Sequence, residues 1–235
     1  MALKFAVVIP ACNEEAAIGD AVRSAWEAGA SEVAVVDGES EDRTTAYACE
    51  AGAVVVACPA QRARQQNLGA RATSAPVLLF LHADCRLPRD AQLQLEAACH
   101  DQQFLWDAFR QRIEAPGMLY RLLERGNALR AAWGSRPYGD QAIFVTRAAF
   151  EAAGGFPEEP FLEDLLLARK LSRLTRAALL PGPVVVDPRR WQRRGVFAQT
   201  FTNWALLMAH ACGVSPQRLA GFYRRHEKRE KFETS

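Results

Sequence analysis

The sequence withholds most of the features that assign a chain at a glance, and each absence narrows the field. Lys and Arg number 29 against 27 Asp and Glu, a net charge of +2, so no basic excess argues for a nucleic-acid partner. The six cysteines, at 12, 49, 58, 85, 99 and 212, include no Cys-x-x-Cys pair and no short secreted framework. They read as reduced thiols of a cytoplasmic protein. The opening MALKFAVVIPACNEE is apolar over too short a run for a signal peptide, and no small-residue cleavage site follows. No stretch supplies the roughly 20 mostly apolar residues of a spanning helix. The nearest, VFAQTFTNWALLMAHACGV at 196–214, is interrupted by Gln199, Thr200, Thr202, Asn203 and His210, and reads as a core or surface helix. Repeats, low-complexity tracts and flexible linkers are missing too, so 235 residues at 49% hydrophobic imply one soluble domain spanning 1–235.

What remains is an alternation of strands and helices. Short β-rich runs at 5–10, 33–36, 54–56 and 77–81 are separated by helical patterns at 14–28, 42–51 and 61–74. In the first helix Ile18, Val22 and Trp26 recur at spacing four, with Ala21 and Ala25 beside them, and Gly29 stops it. Strands this uniformly apolar are expected where helices cover both faces of a parallel sheet. Beyond residue 100 the pattern loosens. A partly alternating strand at 104–113, a helix at 118–131, a strand at 141–146, a short helix at 147–153, a helix beginning near Glu163 and a late strand at 184–186 are expected. The chain thus divides into a nucleotide-binding half (1–100), an acceptor and catalytic half (101–195) and C-terminal helices (196–235).

In a sheet of this kind ligands bind at the carboxyl ends of the strands. The groups that follow the first four strands therefore converge. They are Pro10-Ala11-Cys12-Asn13-Glu14-Glu15, Asp37-Gly38-Glu39-Ser40, Gln61-Arg62-Ala63-Arg64 and His82-Ala83-Asp84. No Gly-x-Gly-x-x-Gly follows the first strand and no Walker-type glycine loop is present, which excludes the usual phosphate cradles. An anionic ligand would instead be held by arginines, or by a divalent cation on a hard oxygen donor such as Asp84.

Seven segments in this order, VVIPACNEE, VVDGESEDRT, ARQQNLGA, FLHADCRLP, YGDQAIFVTRAAFEAAGGFPE, FLEDLLLARKL and PRRW, resemble the family 2 glycosyltransferases of the GT-A fold. More narrowly they resemble small bacterial transferases found beside radical-SAM and selenium-domain proteins. The resemblance covers about residues 5–195 and implies a Rossmann-like, mixed but mostly parallel sheet with helices on both faces. It implies a nucleoside-diphosphate sugar of the UDP or GDP type as donor, a hydroxyl acceptor of unstated identity, and a divalent cation, Mn2+ or Mg2+.

By position, the resemblance assigns Pro10, Ala11, Asn13 and Glu14 to the nucleotide pocket, Asp37 to the base and Arg64 to base and phosphates. Asp84 matches the last acid of the family's Asp-x-Asp motif and His82 stands where the first acid belongs, so both are candidate metal ligands. Histidine suits manganese better than magnesium, and hydrogen bonding to the sugar or a neighbouring carboxylate is the competing role for His82. Gly139, Asp140 and Gln141 resemble the loop beside donor sugar and acceptor, and Arg190 and Trp191 a shortened form of the Gln-x-x-Arg-Trp motif. Asp164 is similar to the catalytic base of an inverting transfer and Glu163 to its orienting neighbour; adjacent helical residues point about 100° apart, so the two do not share one task.

Two other functions fit parts of the pattern. One is a nucleotide-sugar binding module with weak catalysis. The other is a sugar nucleotidyltransferase, although CNEEAA replaces the glycine- and arginine-rich loop such enzymes carry after strand one. The basic stretch 218–231, with Arg218, Arg224, Arg225, Lys228, Arg229 and Lys231 against Glu227 and Glu230, reads as a solvated face or as a peripheral contact with an acidic membrane surface.

Overall fold

The expected alternation governs the first half of the molecule. The computed structural model describes residues 2–100, 104–134, 137 and 139–222; the side chains of Trp133, Arg190 and Arg194 lie outside that description. Strands β1 (Phe5–Ala11), β2 (Glu32–Asp37), β3 (Val54–Ala57) and β4 (Val77–Phe80) alternate with helices α1 (Ile18–Glu27), α2 (Thr44–Glu50) and α3 (Arg62–Arg71). All four strands run parallel, and Ala11, Asp37 and Ala57 stand in register at their carboxyl ends.

The sheet continues into the second half. Strands β5 (Cys85–Arg86), β6 (Trp106–Ile113), β7 (Phe144–Thr146) and β8 (Leu179–Val186) complete the order β3-β2-β1-β4-β7-β6-β8-β5. β7 runs antiparallel to β4 and β6, β5 antiparallel to β8, and β6 parallel to β8. Helices α4 (Ala91–Cys99), α5 (Met118–Gly134), α6 (Arg147–Ala152), α7 (Glu163–Leu171), α8 (Arg189–Arg194) and α9 (Val196–Ala211) complete the fold. The two-stranded contact of β5 and the helix α4 carried no expectation from the sequence. β8 starts five residues before the late strand read at 184, and Trp26 is 38% exposed although it shares the Ile18–Val22 spacing.

The strand period of two divides the core. Phe5, Val7, Ile9, Leu79 and Leu81 pack on one face with Ile18, Val22 and Leu95 from α1 and α4. Ala6, Val8, Leu78 and Phe80 pack on the other with Ala63, Phe150, Phe156, Leu167 and Leu171. Helix α3 packs closely against β1 and β2. A side-chain carbon on Gly69 would stand 2.3 Å from Val8 Cγ1 and 3.0 Å from Val36 Cγ2, so only glycine lets α3 lie this low. That depth sets the position of Arg62, Gln65 and Gln66, which reach the carboxyl edge of the sheet.

Candidate active site

The loops after β1, β3 and β4 enclose a cleft of about 240 Å³ whose walls include Pro10, Ala11, Glu14, Arg62, His82 and Asp84. His82 and Asp84 owe their place to the apolar run that precedes them. Leu81 still donates to Val8 O at 3.0 Å, and the chain then turns, with Cys85 N donating to His82 O at 3.0 Å. Pairing of β5 with β8 brings Asp84 beside the chain at Asp187, whose N–H donates to the Asp84 carbonyl at 3.1 Å. One turn on, Arg189 donates to the Glu14 carboxylate and stands 3.9 Å from Asp84 Oδ2 and 4.0 Å from Asp187 Oδ2.

Helix α7 delivers the second pair of acids. Leu162, at φ 64°, turns the chain into the helix, so Glu163 and Asp164 occupy its first turn, where the helix dipole favours negative charge. The preceding loop is clamped by Asn67, which donates to Phe156 O and accepts from Phe156 N, both at 2.9 Å. Gly155 follows from that clamp: its φ is +66° and a side-chain carbon there would stand 2.6 Å from Asn67 Oδ1. Arg62 Nη1 is 3.3 Å from Glu163 Oε1, Gln66 Nε2 donates to Asp164 Oδ1 at 3.4 Å, and His82 Nε2 lies 3.7 Å from Asp164 Oδ2. The last distance is long for a hydrogen bond. Gly139 covers this pair from the opposite side, where an added side-chain carbon would fall 2.2 Å from His82 Nε2 and 2.3 Å from Asp164 Oδ2.

The surrounding charges separate the two adjacent acids. Burial and the neighbouring Asp164 push the Glu163 carboxyl up, against the pull of Arg62. Burial would raise Asp164 too, but His82, Arg62 and Gln66 outweigh it and hold its carboxyl below the ordinary aspartate value. Arg62 is 49% exposed at the rim of the cleft and loses some solvation there, yet Glu163, Asp164 and Asp84 keep it firmly protonated. The site is therefore a cluster of acids threaded by two arginines, with Asp164 ionised.

His82, Asp84 and Cys85 offer nitrogen, oxygen and sulfur donors within 4.8 Å of one another. His82 Nε2 is buried with no hydrogen-bond partner, so the ring keeps an unspent polar atom beside Asp164. A mixed set of this kind fits a transition ion such as Mn2+ better than Mg2+, which prefers oxygen.

Several sequence-derived positions lie elsewhere. Asp37 is buried at the end of β2, and its carboxylate accepts from Ser40 N at 3.0 Å and from the Ser40 hydroxyl, which in turn accepts from Asn13 N at 2.9 Å. Asp37 and Asn13 thus tie together the loops that frame the cleft. Asn13 adopts φ 54° and its side-chain oxygen accepts from Glu41 N. Arg64 points outward to Glu158 at 2.9 Å, because two residues along α3 rotate it away from the face that carries Arg62. Gln141 is fully buried, accepting from Arg130 and donating to Phe109 O, both at 3.4 Å, while Asp140 is partly exposed beside Gly139. Trp191 is 6% exposed within the core cluster of Phe5, Val7 and Ile18, so it supports the wall and offers no ring face to a sugar. The Arg190 side chain and the basic residues 224–231 lie outside the described residues.

Three contributors carried no emphasis in the sequence. Arg189 stands one place before the arginine that the motif favours. Gln66 is a polar residue on a helix face that otherwise reads as core. Cys85 looks like one of six interchangeable cysteines until the turn brings it beside His82.

A family model described as glycosyl transferase family 2 matches residues 6–125. Among solved structures, TarS residues 1–349 of S. aureus in complex with UDP-GlcNAc is similar at 17% identity and TM-score 0.62, over 79% of this chain and 58% of that one. TarS 1–349 without a named ligand is similar at 17% identity and TM-score 0.63, over 92% and 68%. Glucosyl-3-phosphoglycerate synthase of Mycobacterium tuberculosis, in complex with Mn2+, UDP-glucose and phosphoglyceric acid, is similar at 22% identity and TM-score 0.55, over 79% and 71%. The chain thus spans little more than half of the first of these structures. No curated protein matches it. The matches reach the family and the GT-A architecture, and do not distinguish the narrower radical-SAM-associated subgroup.

Proposed function

The chain belongs to glycosyl transferase family 2, and from that premise we propose that its cleft transfers a sugar from a nucleoside diphosphate, of the UDP or GDP type, to an acceptor hydroxyl with inversion. One observation carries the reading. Asp164, from a helix 80 residues downstream, lies 3.7 Å from His82, within the same charged cluster as Asp84 at the strand tips. A fold that needed only stability would not gather three buried or half-buried acids with two arginines at its ligand edge.

In this reading Pro10, Ala11 and Glu14 line the nucleoside pocket, with Asp37 fixing its wall through Ser40. Arg62 and Arg189 supply positive charge beside the diphosphate and stabilise it as it departs. Asp164, ionised at neutral pH, accepts the proton of the acceptor hydroxyl while that oxygen bonds to the anomeric carbon and the bond to the diphosphate breaks. Glu163 is engaged by Arg62 and acts as a positioning residue. Asp84, with His82 and Cys85, would hold a divalent cation, which when bound adds charge neutralisation at the diphosphate. Bound structures of the two similar enzymes with UDP-GlcNAc, and with UDP-glucose and Mn2+, support this donor class.

Thermal shift with UDP and GDP, each with and without Mn2+, tests the reading. One nucleotide should raise the melting temperature, and Mn2+ should enlarge the rise. Asp84→Ala should abolish the increment due to the metal. A melting temperature indifferent to every nucleoside diphosphate would refute the donor assignment.

A further inference from the structure

Helix α9 has its polarity reversed. Phe197, Phe201, Trp204 and Met208 are 73%, 77%, 60% and 58% exposed. At 100° per residue they fall within about 60° of arc, forming one continuous apolar stripe. Gln199 and Leu206, about 180–200° away on the same count, are the buried residues of the helix. Two of its polar residues turn toward the protein: Gln199 is fully buried, and His210 meets Arg169 of α7 at 3.0 Å. A surface helix ordinarily buries its apolar stripe and exposes its polar one. Such an exposed aromatic stripe marks an interaction surface.

The charge of the sequence that flanks it indicates what covers it. From Pro188 to His226 the sequence carries seven arginines and no Asp or Glu. Residues 189–235 hold ten basic and three acidic side chains, a net +7, whereas residues 1–188 hold nineteen and twenty-four, a net −5. The overall +2 conceals this asymmetry. A second copy meeting the stripe through a two-fold axis would bring two such cationic segments together, which is repulsive. An anionic bilayer answers both halves of the observation, since aromatic side chains settle at the headgroup boundary and arginines neutralise lipid phosphates. No helix among the described residues is long and apolar enough to cross a membrane.

We propose that the Phe197–Met208 face of α9, flanked in sequence by arginines and no acids from Pro188 to His226, docks the protein on the surface of an anionic membrane. α9 follows α8 through Gly195 alone, and α8 begins with Arg189 at the cleft. The docked face is therefore tied to the site, which, resting on the transfer reading, points to an acceptor presented at the bilayer surface.

Co-sedimentation of the full chain with vesicles tests the docking. One set is phosphatidylcholine alone and the other contains about 30% phosphatidylglycerol, an anionic fraction sufficient to attract a basic interfacial helix. Partition into the anionic vesicles should exceed that into neutral ones by about tenfold or more, and should fall with added salt. Substituting Phe197, Phe201, Trp204 and Met208 together by serine should remove it, while the thermal shift with UDP or GDP stays intact. Phe201→Ser alone should shift partition in the same direction and serves if the fourfold variant does not fold. Equal sedimentation of wild type and variants, or no binding to anionic vesicles, overturns the proposal. So does a solution dimer that the fourfold variant dissolves in a chain indifferent to lipid. Vesicle binding without any nucleotide response would sink the transfer reading and leave the docking standing.

Discussion

Two regions of the molecule bury carboxylates to a similar depth, yet Asp164 in one and Asp107 in the other shift in opposite directions. At the cleft, Glu163 and Asp164 are 6% and 9% exposed among Arg62, His82 and Gln66. On β6, Asp107 is 6% exposed, and its carboxylate accepts from the Ala178 N–H, with the Cys99 thiol near enough to feel its charge. Burial pushes the Asp107 carboxyl up to about 6, and the single backbone donor recovers only part of that. Asp164 moves in the other direction under the same penalty. Depth alone therefore does not decide the state of a buried acid; the number and sign of the groups facing it do. The gathering of that many polar groups around one carboxylate is what singles out the cleft as the candidate site.

The strongest way to break this contrast is to remove the charge that the cleft maintains. Asp164→Asn keeps the shape and the oxygen that faces Gln66 but cannot take a proton. Turnover of a UDP- or GDP-sugar should fall by about 10²–10⁴-fold, the range for losing a general base. The nucleotide thermal shift should persist. Turnover within a factor of two of wild type would remove Asp164 from the mechanism and reduce the acid cluster to a structural feature.

A smaller effect should follow from disturbing the geometry without touching a charge. Gly139→Ala places a methyl where His82 Nε2 and Asp164 Oδ2 would be 2.2 and 2.3 Å away, so one of the two must move. A displacement of this kind should lower kcat by about 10–100-fold, with the apparent affinity for nucleotide changed much less. A Gly139→Ala enzyme with wild-type kcat would show that the spacing of His82 and Asp164 is irrelevant to turnover.

The contrast also explains which parts of the molecule the sequence discloses. Strands β1 to β4 are legible because each is a short apolar run bounded by a helix with its own period, and the parallel order fixes where their tips meet. Asp84 and His82 follow directly from that logic. Beyond residue 100 the sheet mixes directions, and β5 and β8 are defined by their pairing, which no local pattern records. That pairing brings Arg189, one place before the arginine the motif suggests, to Asp84. Arg62 and Arg64 illustrate the same limit: both follow β3, and only the rotation of α3 decides that the first faces the cleft. Trp191 shows the converse, since a motif position became a core residue. The reversed face of α9 is legible only once burial is known, because Gln199, Asn203 and His210 read as interruptions of an apolar helix when their direction is unknown.

The mildest test addresses Asp107, a buried acid without a cationic partner among the described residues. Its folded value of about 6 lies above the ordinary 3.8, so the folded state holds this proton more tightly than the unfolded chain does. Stability contributed through this group is fully present below about pH 3.8 and is lost as the pH rises through about 6. A gap of about two pH units, at about 1.4 kcal/mol each, sets the loss at no more than about 3 kcal/mol. Asp107→Asn retains an oxygen for the Ala178 N–H and carries no charge, although its amide hydrogens need partners in a buried site. The variant should therefore gain about 1–2 kcal/mol over wild type at pH 8, with the advantage shrinking toward pH 4. Urea unfolding at the two pH values measures it, while nucleotide binding serves as the control for the cleft. An asparagine variant less stable than wild type at pH 8 would mean that the Asp107 carboxylate is stabilised as that of Asp164 is, and the distinction between the two would fail.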